Sequence, residues 1–293
     1  RGMEDRRGLW SLANVDDVGL VLVPDAMLAY SRMSVPEARA FVQRIHDAMI
    51  DLCEQTQDRF AILDLPDTRD IEEVRRLRQR RDTHYAAFYF PWLVVPGQNG
   101  ATHKQPPSGH IAGVYARSEI QHGVHKAPAN EQLFGVTQLT LPLSDDHVGQ
   151  LNSEGINTIR SFTGRGIRIW GARTCSNDPD WRYLNVRRLF IMLRRALENG
   201  TQWITFEPNT AQTWSLIERE VSLFLHDLYT KGYFAGGSPE ESYLVKCDSE
   251  VNAADVVDSG RLITEIRVAP ALPAEFIYFT IEQQMAERSS SGS

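Results

Sequence analysis

FAILDLPDTRDIEEVRRLRQRRDTHYAAFYFPWLVV, residues 60–95, is the stretch on which the fold turns. Residues 60–65 form an apolar run stopped by Pro66, which predicts a strand buried on both sides. Asp70 stands where a helix cap is expected, and Ile71, Val74 and Leu77 follow at helical spacing. Residues 86–95 read as a third strand, rich in aromatic residues and broken near Pro91. Upstream, VGLVLV at residues 18–23 is a further strand ending at Pro24. Ser34 and Glu37 mark a helix start, and Phe41, Ile45, Ala48, Met49 and Leu52 form its apolar stripe. Strand, helix, strand, helix, strand in this order predicts an α/β domain built on a mainly parallel, helix-covered sheet.

Residues 96–107 are rich in Pro, Gly, Asn and Gln and read as a long loop, with a helix expected over 109–120. Residues 121–142 read as irregular. A composition shift over 151–157 sets the expected domain boundary, giving a first domain at 1–155 and a mixed α/β second domain at 156–293. In the second domain, strands are expected at 158–162 and 166–172, joined by a tight turn at Gly164, Arg165 and Gly166. Helices follow at 184–199, ended by Gly200, and at 210–229. Further strands are expected at 203–206, 242–247, 262–268 and 274–281.

The chain has 31 basic and 38 acidic residues, a net charge of -7. Up to Gln150 there are 16 basic and 20 acidic residues, and after it 15 and 18, so neither half is basic. That argues against nucleic acid or an anionic membrane as the main partner. The longest stretch without Asp, Glu, Lys or Arg, residues 83–103, contains Pro91, Pro96 and Gly97 and predicts no membrane insertion. Cys53, Cys175 and Cys247 are odd in number and far apart, which predicts reduced thiols. The first residues are charged and lead into no apolar signal core. The chain begins at Arg1 without an initiator Met, so an upstream portion is expected.

Motifs for chemistry are sparse. Gly164, Gly166 and Gly171 lie in and around a hairpin and do not open a helix, so they lack the context of a dinucleotide loop. No GxxxxGK[ST], GxSxG or HExxH is present. His122 and His125 fall in a loop beside Gly123 with no third ligand in reach by spacing. The expectation is therefore no catalytic residue, no cofactor and no metal. Arg75, Arg76, Arg78, Arg80 and Arg81 are flanked by Glu72, Glu73 and Asp82, the pattern of a solvated face. Arg187 and Arg188 recur seven residues later as Arg194 and Arg195, two turns along one helix side; a solvated face is the plain reading, a dock for an acidic protein surface the sharper one. In AEFIYFTIE, Phe276, Tyr278 and Thr280 point one way and Ile277, Phe279 and Ile281 the other. Such a strand, apolar on both faces and close to the chain end, either completes its own domain or adds to a neighbour's sheet.

PPSGHIAGVYARSEIQHGVHKAPANE (residues 106–131) resembles the signature of contractile tail sheath proteins of myophages, tailocins and related injection systems. LNSEGINTIRSFTGRGIRIWGARTCSNDPDWRYLNVRRLF (151–190), GTQWITFEPN (200–209), YLVKCD (243–248) and VAPALPAEFIYFTI (268–281) follow in the family's order. GLWSLANVDDVGLVLVP (8–24) is compatible with the start of the family's core domain. This chain departs from the pattern at His125, where the family commonly has Trp, and in having no counterpart of the family's N-terminal arm before Trp10.

The resemblance implies a subtilisin-like core domain without protease activity, then a mixed C-terminal domain. It implies a structural subunit that stacks as six-fold rings into a helical sleeve around an inner tube, and contracts to drive the tube through a target envelope without nucleotide hydrolysis. The partners would be other copies or sheath paralogues, the inner tube protein, and baseplate and terminal cap proteins. Assembly would take place in the bacterial cytoplasm, into a phage tail or tail-like particle. In that picture residues 274–282 are an exchange strand between subunits, carried by Phe276, Ile277, Tyr278, Phe279 and Ile281. Arg187, Arg188, Arg194 and Arg195 are the expected tube-facing contact. The competing readings are an α/β hydrolase whose site is assembled over long range, and a capping module that keeps the sheath fold without polymerising.

Overall fold

The computed structural model describes residues 8–275. Its centre is a five-stranded sheet in the order β1-β2-β3-β7-β8, comprising β1 (Leu20–Val21), β2 (Phe60–Asp64), β3 (Ala86–Phe90), β7 (Ile156–Phe162) and β8 (Gly166–Trp170). The first four are parallel and β8 returns antiparallel. Every residue of β2 and β3 is buried, as their unbroken apolar runs require of strands covered on both faces.

Between β1 and β2 the chain forms a single turn, α1 (Ala29–Arg32), and then α2 (Val35–Thr56). The start of α2 is held by the expected capping box, in which Ser34 donates to Glu37 from its backbone N–H (3.2 Å) and its hydroxyl (2.7 Å). Between β2 and β3 lies α3 (Ile71–Gln79), whose first turn is capped by the Asp70 carboxylate accepting from Glu73 N–H at 3.1 Å. Val21, Leu52, Phe60, Ile62, Val74 and Phe88 join in one core beneath these helices.

After the cis Phe90–Pro91 bond the chain leaves this sheet and forms a second one from β4 (Leu93–Pro96), β5 (Thr102–Gln105) and β6 (Gln138–Leu139), in the order β5-β4-β6. The long loop expected at 96–107 therefore contains a strand. THKQ carries no apolar alternation, and only main-chain pairing with β4 (Val94↔Lys104) makes it one. Next come α4 (Ser108–His122) and α5 (Asp145–Ser153). β7 and β8 then form the expected hairpin, with Ile159 opposite Ile169 and both turn glycines at positive φ. The expected division at residue 155 falls immediately before this hairpin. Ile156 pairs with Phe88, so the first sheet and its core run on through Trp170 and Cys175. The composition shift marks a bend before β7 and not the end of the core.

Beyond the hairpin, α6 (Leu184–Gly200) is shared between two cores: Leu184 and Ile191 face the first, while Leu189 and Leu193 join Ile217, Val221, Leu225 and Leu228 of α7 (Ala211–Thr230) in the second. The strand expected at 203–206 is instead a 3-10 turn (Gln202–Ile204) continuing from α6. WITF has strand-forming composition but finds no partner strand there. The one-turn α8 (Pro239–Ser242), β9 (Tyr243–Lys246), α9 (Ala254–Asp258) and β10 (Glu265–Val268) complete the described chain. β10 begins later than the apolar pattern suggests, because the Asn252 side chain takes both the N–H (2.7 Å) and the carbonyl (2.9 Å) of Ile263 out of strand pairing.

Candidate assembly surfaces

The four arginines expected to face a tube do not share one free surface. Arg187 is buried, with its guanidinium over the rings of Trp181 (4.1 Å) and Tyr85 (4.7 Å). Burial pushes its pKa down, so aromatic faces rather than a carboxylate hold this charge. Arg188 pairs with Glu119 of α4 and lies over Tyr115 at 4.9 Å. Arg195 donates to the Asp16 carbonyl, and Arg194 to Gln57 and, at 2.7 Å, to Glu198. The seven-residue spacing is real, but α6 runs between two cores, so its basic residues tie elements of this chain together. Arg194 is the most exposed of the four. Arg188 and Arg195 also line a cleft of about 550 Å³ between β1, α4 and α6, whose walls include Leu20, Ile191 and Met192.

The strand residues Phe276, Ile277, Tyr278, Phe279 and Ile281 lie outside the described residues. What is described is the position from which they depart. Glu275 receives two hydrogen bonds from Arg173, Nε at 2.9 Å and Nη2 at 2.6 Å, and a third from the Tyr183 hydroxyl at 3.3 Å. Burial works to raise the Glu275 pKa, but the bonds and charge of Arg173 outweigh it and hold the carboxyl below its ordinary range. Arg173 is itself fixed, since its N–H donates to Asn157 Oδ1 at 2.7 Å while Asn157 Nδ2 donates to the carbonyls of Arg173 (2.8 Å) and Phe88 (3.2 Å). Sequence spacing carries no trace of this pair; the one available hint is an acidic residue immediately before the apolar segment 276–281.

Strand edges are handled differently in the two halves. The outer edge of β8 is covered by the segment around Glu131, with Leu133 N–H to the Ile167 carbonyl at 2.8 Å and Ile169 N–H to the Glu131 carbonyl at 3.0 Å. β9 and β10 pair only with each other, so among the described residues neither has a strand along its outer edge. A lone two-stranded sheet is a weak unit, and here it rests on α7 and the second core.

The groups that invite a chemical reading are sequestered. Ser108 is fully buried; its hydroxyl donates to Asp64 at 2.6 Å and its N–H to the same carboxyl at 2.9 Å, which caps α4 and presents no nucleophile. Burial raises Cys53 to about 12 and Cys175 to about 11, leaving inert thiols. His122 ends α4, and His125 packs on Tyr233 with ring centres 4.0 Å apart. Among the described residues, no group of three or more His, Cys, Asp or Glu is placed to hold a metal, and no helix is long and apolar enough to cross a membrane.

Residues 27–175 match the family model for the phage tail sheath protein central domain, and residues 176–284 the model for the phage tail sheath C-terminal domain. The tail sheath protein of Salmonella phage ViI is 28% identical over 245 residues, covering 79% of this chain and 38% of that protein, so the chain spans well under half of that relative. The sheath complex of an extracellular contractile injection system, PVC, in its contracted state superposes with a TM-score of 0.79 at 31% identity, over 93% of this chain and 73% of the other. A chain of the six-fold symmetrised baseplate of the anti-feeding prophage superposes with a TM-score of 0.74 at 32% identity, over 84% and 66%.

Proposed function

The chain belongs to the phage tail sheath family, and from that premise we propose that it is a force-transmitting sheath subunit whose work is mechanical and not catalytic. Copies stack as six-fold rings into a helical sleeve around an inner tube, and the sleeve's shortening drives the tube into a target envelope. Support comes above all from the likeness to a contracted sheath over nearly the whole chain. The likeness to a baseplate chain supports a baseplate at one end of the sleeve, and a terminal cap closes the other. The particle is put together in the bacterial cytoplasm.

Residues 274–282 act as the exchange strand, with Phe276, Ile277, Tyr278, Phe279 and Ile281 supplying its apolar faces. The β9–β10 pair, which among the described residues has no strand along its outer edges, is the acceptor we assign to it in the next subunit. Main-chain pairing keeps subunits joined while the bodies rotate, because a strand resists separation and the peptide leading to it can hinge. The tube contact centres on Arg194, the most exposed of the four, since Arg187 is buried and Arg188 and Arg195 are held by Glu119 and the Asp16 carbonyl. Electron microscopy of the purified chain tests the assembly: sleeves or stacked rings are expected, and a chain ending at Pro273 forms none. Sleeves from the shortened chain would remove the strand assignment, and a full chain that stays monomeric at high concentration would remove the sheath reading itself.

A further inference from the structure

Phe206 occupies a position that costs the free chain and returns nothing to it. The Glu207 N–H bonds the Ile204 carbonyl at 2.9 Å, Thr205 has φ -60 and ψ 120, and Phe206 has φ +73. That is a type II turn whose third residue is ordinarily glycine, because only glycine enters that region without a Cβ penalty. Here a phenylalanine stands there, and its side chain is fully exposed. The turn is braced: Asn209 accepts from Trp214 Nε1 at 2.7 Å and donates to the Arg261 carbonyl at 2.8 Å, while Thr213 donates to the Pro208 carbonyl at 2.6 Å. A bulky ring carried into solvent by a strained and braced turn has the form of an anchor.

The complementary surface lies elsewhere on the same chain. Leu9, Val23, Phe41, Arg44, Ile45 and Ala48 line an open, apolar hollow of about 390 Å³ beside α2. About 150 Å³ already accepts a benzene-sized ring. Arg44 stands on the rim at 5.9 Å from the Phe41 ring and makes no ion pair among the described residues. Glu207, next to the exposed ring, is likewise an exposed charge without an ion pair among the described residues. One surface thus offers a ring beside an anion, the other a hollow beside a cation.

We propose that Phe206 and Glu207 of one copy seat in the Phe41–Arg44 hollow of a second copy, forming a head-to-tail contact distinct from the exchange strand. The inference rests on the sheath reading and adds a second joint to it. Because anchor and hollow are different surfaces, each copy offers one of each, and the contact propagates into a ring or helix instead of closing as a dimer. The rim charges fix orientation more than strength.

Phe206→Gly separates this role from a structural one. It relieves the turn, so Tm rises by about 2 °C, while the critical concentration for assembly rises at least tenfold. Glu207→Lys and Arg44→Glu each raise that concentration about threefold, and the two together restore it. A chain carrying Thr205→Cys and Ala48→Cys, which keeps the Phe206 ring and whose natural cysteines are all buried, gives a disulfide ladder extending past the dimer under oxidation. If the unaltered chain assembles but Phe206→Gly assembles equally well, or cross-linking stops at the dimer, this contact is refuted and the sheath reading stands. If the unaltered chain does not assemble at all, the sheath reading fails and the contact falls with it.

Discussion

Asp64 and His46 flank the same small gap beside Phe88, and burial moves them in opposite senses. Burial raises Asp64 to about 7 despite two bonds from Ser108. Burial, helped by the charge of Arg81, lowers His46 to about 3. For Asp64, the unfolded chain loses the proton near pH 4 while the folded chain keeps it until about 7, so stability falls as pH rises across that window. For His46, the unfolded chain takes a proton near pH 6.5 and the folded chain does not, so stability falls as pH drops from there toward 3. Where the windows overlap, between about pH 4 and 6.5, the two slopes oppose one another, so each is hidden in the sum. In urea titrations from pH 4 to 8, Asp64→Asn should gain on the unaltered protein as pH rises, by on the order of 4 kcal/mol in total. A difference that stays constant with pH would mean Asp64 is already ionised in the fold. Neither group was legible from its neighbours in sequence. FAILD announces a buried strand, but only the arrival of Ser108 turns its last residue into a helix cap.

Elements whose signals are local were readable before any coordinates. The Ser34–Glu37 box, the Asp70 cap and the glycine hairpin at 164–166 each settle their own geometry within a few residues. Elements defined by distant partners were not: β5 exists because β4 lies beside it, and the 3-10 turn at Gln202–Ile204 exists because nothing does. The engagement of Arg187 was illegible for the same reason, since Tyr85 and Trp181, which enclose it, come from other segments. The join between α4 and the second core offers a test at this scale. Gly123 ends α4 at φ +90, and an added Cβ would lie 2.3 Å from the Tyr233 hydroxyl and 2.9 Å from His125 Nδ1. Gly123→Ala should destabilise the chain by about 2–3 kcal/mol, from backbone strain and from the displaced ring. Tyr233→Phe in the same chain should recover part of that loss, and chemical denaturation of the three variants measures it. A fully additive pair would show that the two residues do not press on one another.

Across the whole molecule, two cores share α6, and the chain's departure point at Glu275 is fixed to the first core through Arg173, not to the nearby second one. Arg173→Ala should cost the isolated chain about 1–3 kcal/mol, the loss of this partly buried fork. Assembled sleeves should come apart at clearly lower urea, read by light scattering; sleeves as resistant as the unaltered ones would show that this fork does not support the lattice. The overall architecture was legible because apolar runs and caps repeat along the first third, and the sheath likeness because its motifs are long. The fork was not, because residues 102 positions apart meet only in the finished fold. Its consequence is a load path. A tug on the tail enters at Glu275, crosses to Arg173, passes through the Asn157 amide and ends on Phe88, in the middle strand of the five-stranded sheet. Part of any traction would therefore reach the parallel sheet as shear between its strands, alongside what the main chain carries back to β10.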